Sequence, residues 1–95
     1  INGYVYGNGP QPVMTAGQRV RWYEFSMGSE VDLHTPHVHG NVWTSAMGMR
    51  MDMVGILPGE MVTMDMVPDN RGIWLFHCHV NDHITAGMIG TYQVL

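Results

Sequence analysis

Two short histidine clusters, His34-x-x-His37-x-His39 and His77-Cys78-His79-x-x-x-His83, hold all six histidines of the chain and its only cysteine. Nearly forty residues separate them, so a fold that uses both must bring distant segments together. The tripeptide His77-Cys78-His79 constrains the backbone further. On an extended strand successive side chains point to opposite faces, so Cys78 projects one way and both flanking histidines the other. The same alternation puts His37 and His39 on a common face with Val38 turned away.

Thiolate, imidazole and thioether are the ligand types of a blue copper site, because copper cycling between Cu(I) and Cu(II) needs soft sulfur and imidazole nitrogen together. Cys78, His83 and Met88 lie within eleven residues, and His34 supplies a second imidazole from upstream. Met88 is expected on the long axial bond, where it tunes the potential without binding strongly. Once these four are grouped, His37, His39, His77 and His79 remain as a second constellation, joined covalently to the first through Cys78.

The bland readings are a buried cysteine acting as a small hydrophobe and methionine acting as core filling. Each holds for a single residue, but neither accounts for the clustering. Zinc also binds histidine and cysteine. Eight candidate ligands exceed one tetrahedral site, however, and zinc gives no reason for a cysteine flanked by two histidines.

The pattern between the motifs reads as all-β. Strands are expected over residues 18–27, 31–39, 42–46, 49–54, 61–67, 73–79 and 88–94, with turn signals at Gly40-Asn41, Pro58-Gly59 and Pro68-Asp69-Asn70. Short strands at this spacing indicate a Greek-key β-sandwich. Only residues 80–86 suggest a short helical turn. Ninety-five residues suit a single domain over 1–95. A start at Ile1, without a charged-then-apolar leader, reads as a processed or excised piece.

Four arginines, no lysine and eight carboxylates give a formal net charge of −4, which argues against a nucleic-acid partner. No apolar run approaches the roughly 20 residues of a membrane span. Acidic groups near a copper attract cationic substrates. Asp82, next to His83, is the candidate, and a loop carboxylate bonding to nearby amides is the competing role.

Met47, Met49, Met51 and Met53 stand at two-residue spacing among ten methionines. On one strand they share a face. Soft thioethers suit an auxiliary Cu(I) site, whereas methionine's ordinary use is to fill a core or an interface.

The stretches Asp32-Leu33-His34-Thr35-Pro36-His37-Val38-His39-Gly40 and His77-Cys78-His79-Val80-Asn81-Asp82-His83-Ile84-Thr85-Ala86-Gly87-Met88 resemble the copper motifs in the last domain of multicopper oxidases. The chain is most similar to two-domain laccase-like enzymes and to the final domain of ceruloplasmin, and the likeness extends to Asn2-Gly3, Gly7-Asn8, Arg21-Trp22-Tyr23 and Gly72-Ile73-Trp74. The resemblance implies the cupredoxin form of the sandwich. It also implies a type 1 copper on His34, Cys78, His83 and Met88, a type 2 copper on His37, and a type 3 pair on His39, His77 and His79.

In the family, donors such as phenols, amines or metal ions give up single electrons at the type 1 site, and a trinuclear cluster reduces dioxygen to water. His83, whose surroundings decide the substrate, and Asp82 are then the candidate catalytic residues. The cluster draws on histidines from two domains, and this chain offers half of them. The alternative is a stand-alone blue copper shuttle without oxidase activity. By the same resemblance the protein is expected in the periplasm or outside the cell, as a homo-oligomer with a trimer favoured. Many relatives place proline directly after the first histidine, whereas here Thr35 intervenes before Pro36 while the histidine spacing is kept.

Overall fold

A computed structural model describes residues 1–95. The chain forms two four-stranded sheets facing each other as a cupredoxin sandwich, with a single short helix. In chain order the elements are β1 (Val13–Met14), β2 (Val20–Phe25), β3 (Pro36–Val38), β4 (Trp43–Ser45), β5 (Arg50–Met51), β6 (Met61–Met66), β7 (Gly72–Cys78), α1 (Asn81–Thr85) and β8 (Ile89–Val94). One sheet has the order β1-β8-β7-β3 and the other β2-β6-β4-β5.

The alternation expected on β2 is present: Arg21, Tyr23 and Phe25 are exposed, and Val20, Trp22 and Glu24 are turned inward and partly buried. Trp22 anchors the interior. Its ring makes edge contacts with Trp43, Phe76 and Tyr92 at centroid distances of 5.7, 5.8 and 5.6 Å, the favoured geometry for aromatic quadrupoles. Met14, Val38, Trp43, Met64, Met66, Tyr92 and Val94 complete the buried core. Opposite Trp22's face of the sheet, Arg21 binds Asp65 through two hydrogen bonds of 2.8 and 3.0 Å.

Two expectations need correction, and one strand went unforeseen. The strand expected over residues 31–39 is reduced to β3, with His34 held by an isolated bridge to Ile56. The Asp32 carboxylate accepts from the Ser29 amide at 3.0 Å and curls the chain before it can extend. β1 was not anticipated, because two residues pairing parallel to β8 after Gly9-Pro10-Gln11-Pro12 leave no periodic signal.

The methionine run is also split. A turn with Gly48 at φ +81 interrupts it, and only Met51 packs against the core, while Met47, Met49 and Met53 are exposed. The four side chains therefore form neither a continuous stripe nor a common core face.

The strand ends place the site. In β7, His77 lies opposite His37 and Cys78 opposite Pro36, so the two distant histidine clusters meet in one antiparallel pair. α1 packs next to the end of β7, and its last turn together with residues 86–88, the 83–88 loop, returns the chain to β8.

Candidate metal centre

Cys78 Sγ lies 3.4 Å from His83 Nδ1 and 3.8 Å from His34 Nδ1. A metal–sulfur bond near 2.3 Å and a metal–nitrogen bond near 2.0 Å, at 110–120°, give a ligand–ligand edge of roughly 3.5–3.7 Å. The sulfur and both imidazoles are therefore spaced as donors to one ion, and their ligand atoms lie within 4.8 Å of one another. The donor set is soft sulfur plus two nitrogens, which fits copper. Met88 lines the same inter-sheet cleft as His34 and Cys78. Its amide donates to His83 O at 2.9 Å and its carbonyl accepts from the Cys78 amide at 3.1 Å, so the loop is tied back to the end of β7.

Cys78 is 2% exposed. The Thr35 amide donates to its sulfur at 3.4 Å, with the Thr35 hydroxyl 3.9 Å away. Burial first, and then the neighbouring His83, lower the pKa of His34, favouring the neutral ring that a metal needs.

The second constellation sits behind Cys78. His37, His39 and His77 form a triad of ligand nitrogens within 4.8 Å, with His39 Nε2 and His77 Nε2 3.0 Å apart. His79 stands beside them, 5.3 Å from His37 and 5.6 Å from His77 between ring centroids. Its nitrogens are not among the convergent ones. Two ring hydrogens are fixed by their partners. His37 Nδ1 meets Asp52 O at 2.9 Å and His77 Nδ1 meets Cys78 O at 2.8 Å. A carbonyl only accepts, so each Nδ1 carries a proton and, in the neutral ring, each Nε2 keeps its lone pair, that of His77 facing His39. Burial, followed by the charges of His37 and His77, lowers the pKa of His39.

A polar network supports this face. Tyr92, fully buried, donates its hydroxyl to His39 O. Asn41 donates to the Tyr92 oxygen at 3.0 Å, while its own oxygen accepts the Asp69 and Asn70 amides at 3.1 Å each. Gly40, at φ +74, makes room for Trp74: a Cβ there would lie 2.2 Å from the indole.

Six of the eight metal candidates converge in two adjoining groups, while His79 stands beside the second and Met88 lines the cleft beside the first. Asp82 is exposed in the first turn of α1, where no side-chain cap forms. Sequence reasoning did not single out the Thr35 amide, the Asp52 carbonyl or Glu24. The first two act through backbone groups that nearly every residue type carries. Glu24 sits at an inward position of an ordinary amphipathic strand, lining a cleft of about 760 Å³ shared with Trp22, His34, Phe76, Cys78 and Met88. Burial pushes its carboxyl above the usual range.

Residues 2–95 match the family model described as multicopper oxidase. The chain is 47% identical to human ceruloplasmin over 103 residues, covering all of this chain and 9% of that protein. It is 43% identical to the human ferroxidase HEPHL1 over 94 residues, covering 99% of this chain and 8% of the relative. It therefore spans less than a tenth of the length of these relatives. Among solved structures, the laccase from Pediococcus acidilactici Pa5930 superposes with a TM-score of 0.90 at 19% identity, covering 99% of this chain and 23% of that one. The blue copper oxidase from Nitrosomonas europaea gives a TM-score of 0.75 at 27% identity, covering 92% and 31%. Fold, donor chemistry and relatives agree, and the chain belongs to the multicopper oxidase family, whose cofactor is copper.

Proposed function

We propose that the chain is the blue copper electron-transfer domain of a laccase-like multicopper oxidase. His34, Cys78, His83 and Met88 hold a type 1 copper. His37 serves a type 2 copper, and His39, His77 and His79 serve a type 3 pair. The carrying observation is the opposite placement of two adjacent residues: Cys78 Sγ joins His34 and His83, while His77 Nε2 meets His39 at 3.0 Å. Copper, when bound, supplies a one-electron acceptor at the first group and dioxygen reduction at a completed cluster.

The chain's own part is to orient and connect. β7 carries both groups on consecutive residues, so the covalent path between them is as short as a backbone allows, and the His77 Nδ1–Cys78 O hydrogen bond runs alongside it. The half-buried His83, with the exposed Asp82 beside it, marks the side from which a phenol, an amine or a metal ion donates its electron. A cationic donor is favoured there by the acidic balance. Four histidines make half a cluster, and a partner domain across a subunit interface supplies the other half, consistent with a homotrimer in the periplasm or outside the cell.

Copper counting combined with oxygen consumption tests the reading. More than two coppers per chain with oxygen uptake indicates an assembled cluster. One copper per chain, intensely blue and without uptake, selects the stand-alone shuttle instead. Copper uptake without an intense thiolate charge-transfer band refutes both.

A further inference from the structure

Outside the two histidine groups, one contact links the far N-terminal segment to the 83–88 loop. Residues Val5-Tyr6-Gly7-Asn8 close a turn in which the Asn8 amide and side chain both donate to Val5 O, at 3.2 and 2.9 Å. Its two central residues have positive φ, +55 at Tyr6 and +71 at Gly7, the pairing of a type I′ turn. Glycine adopts this region readily. Tyrosine does not, and such an outlier persists only where its surroundings hold it.

The surroundings are the copper loop. The Tyr6 amide donates to Gly87 O at 2.8 Å and the Gly7 amide to Ile89 O at 3.0 Å, so the turn tip binds the chain on either side of Met88. The Tyr6 hydroxyl donates to Thr85 O at 3.2 Å, at the end of α1. Its ring lies on Gly87 so closely that a Cβ there would sit 2.9 Å from three ring carbons. Tyr6 is itself 62% exposed, so the ring is not held by the core. What it touches is the loop.

We propose that Tyr6 is a positioning residue that clamps the 83–88 loop from outside and so fixes how Met88 presents its thioether to the Cys78–His34–His83 group. The proposal rests on the type 1 reading of that group. Met88 is already tied inward by the Cys78 amide and by His83 O. The turn supplies the outward restraint, and together they leave the backbone at Met88 little freedom. Outer partners of this kind set ligand orientation and metal affinity.

The test loads the parent chain and Tyr6→Ala, Tyr6→Phe and Tyr6→Gly with Cu(II). It records the thiolate charge-transfer bands, the electron paramagnetic resonance spectrum and the rate of copper loss to a chelator. Hydrogen exchange on the copper-free proteins is followed in parallel. Tyr6→Ala is expected to change the relative intensity of the bands and to lose copper about tenfold faster, the low end of outer-partner effects. Tyr6→Phe keeps the ring and stays close to the parent. Tyr6→Gly removes the backbone strain as well as the ring, and is expected to behave like Tyr6→Ala. In the copper-free variants exchange rises at Met88 and Cys78 but not along β2 and β6.

Unchanged bands, loss rates and exchange in Tyr6→Ala and Tyr6→Gly would overturn the clamp, as would a Tyr6→Gly variant indistinguishable from the parent. A parent chain that binds copper without the intense band refutes the type 1 assignment separately, and the copper-free exchange comparison still decides the clamp.

Discussion

Thr35 donates its backbone amide to the sulfur of Cys78 across 43 positions of sequence, at 3.4 Å. The residue that follows one imidazole of the sulfur site thus also stabilises negative charge on the sulfur. A donor to a thiolate favours the reduced metal, because it withdraws charge the sulfur would otherwise give to Cu(II). Thr35→Pro removes that amide and is expected to lower the reduction potential. One hydrogen bond of about 1 kcal/mol corresponds to roughly a fivefold shift in the electron-exchange equilibrium with a fixed redox partner. Thr35→Val keeps the amide and serves as the control in the same voltammetry; an equal shift in both would assign the effect to the hydroxyl.

Cys78→Ser replaces the soft ligand by a hydroxyl of similar shape. Loss of the intense visible band is expected, with the far-ultraviolet circular dichroism retained because β7 keeps its pairing to β3 and β8. A serine variant that stays intensely coloured contradicts the assignment of the sulfur as a metal ligand.

Asn41 is 7% exposed and makes four hydrogen bonds: it donates to the Tyr92 oxygen and to Asn70 O, and accepts the Asp69 and Asn70 amides. Asn41→Ala leaves two amides without an acceptor, so a loss of about 3 kcal/mol in unfolding free energy is expected. Urea titration measures it. A loss below about 1 kcal/mol would show that water replaces the side chain.

Glu24 faces the cleft, and burial raises its carboxyl pKa above the ordinary value of 4.5. The folded state therefore holds its proton more tightly than the unfolded state. Stability falls as pH rises from 4.5 through the higher folded pKa, and the penalty is complete only above that folded pKa. Glu24→Gln is expected to stabilise the copper-free chain at pH 7 by on the order of 1 kcal/mol, with the difference vanishing below pH 4.5. A pH-independent difference would trace the effect to shape instead.

How much of this was legible in the sequence depended on whether period or tertiary contact decided the outcome. The split of His77-Cys78-His79 between two groups follows from alternation alone, and the structure places Cys78 and His77 as alternation requires. The interior position of Trp22 was legible for the same reason.

Alternation failed where local side-chain bonds or glycine turns interrupted it. Asp32 shortened the strand leading to His34, and the turn at Gly48 divided the methionines. β1 was invisible because its two residues are held by β8 rather than by any pattern of their own. Nothing in the sequence indicated that the Thr35 amide or the Asp52 carbonyl would orient site residues, since every residue carries such a carbonyl and every residue but proline such an amide.

His79 is exposed and His37 and His39 are only partly covered, so the free chain displays a cluster of imidazoles to solvent. Such a surface chelates whatever borderline metal is at hand. The protein should be retained on an immobilised nickel column without any appended tag, and buffers free of trace zinc and nickel are needed before its copper content is counted.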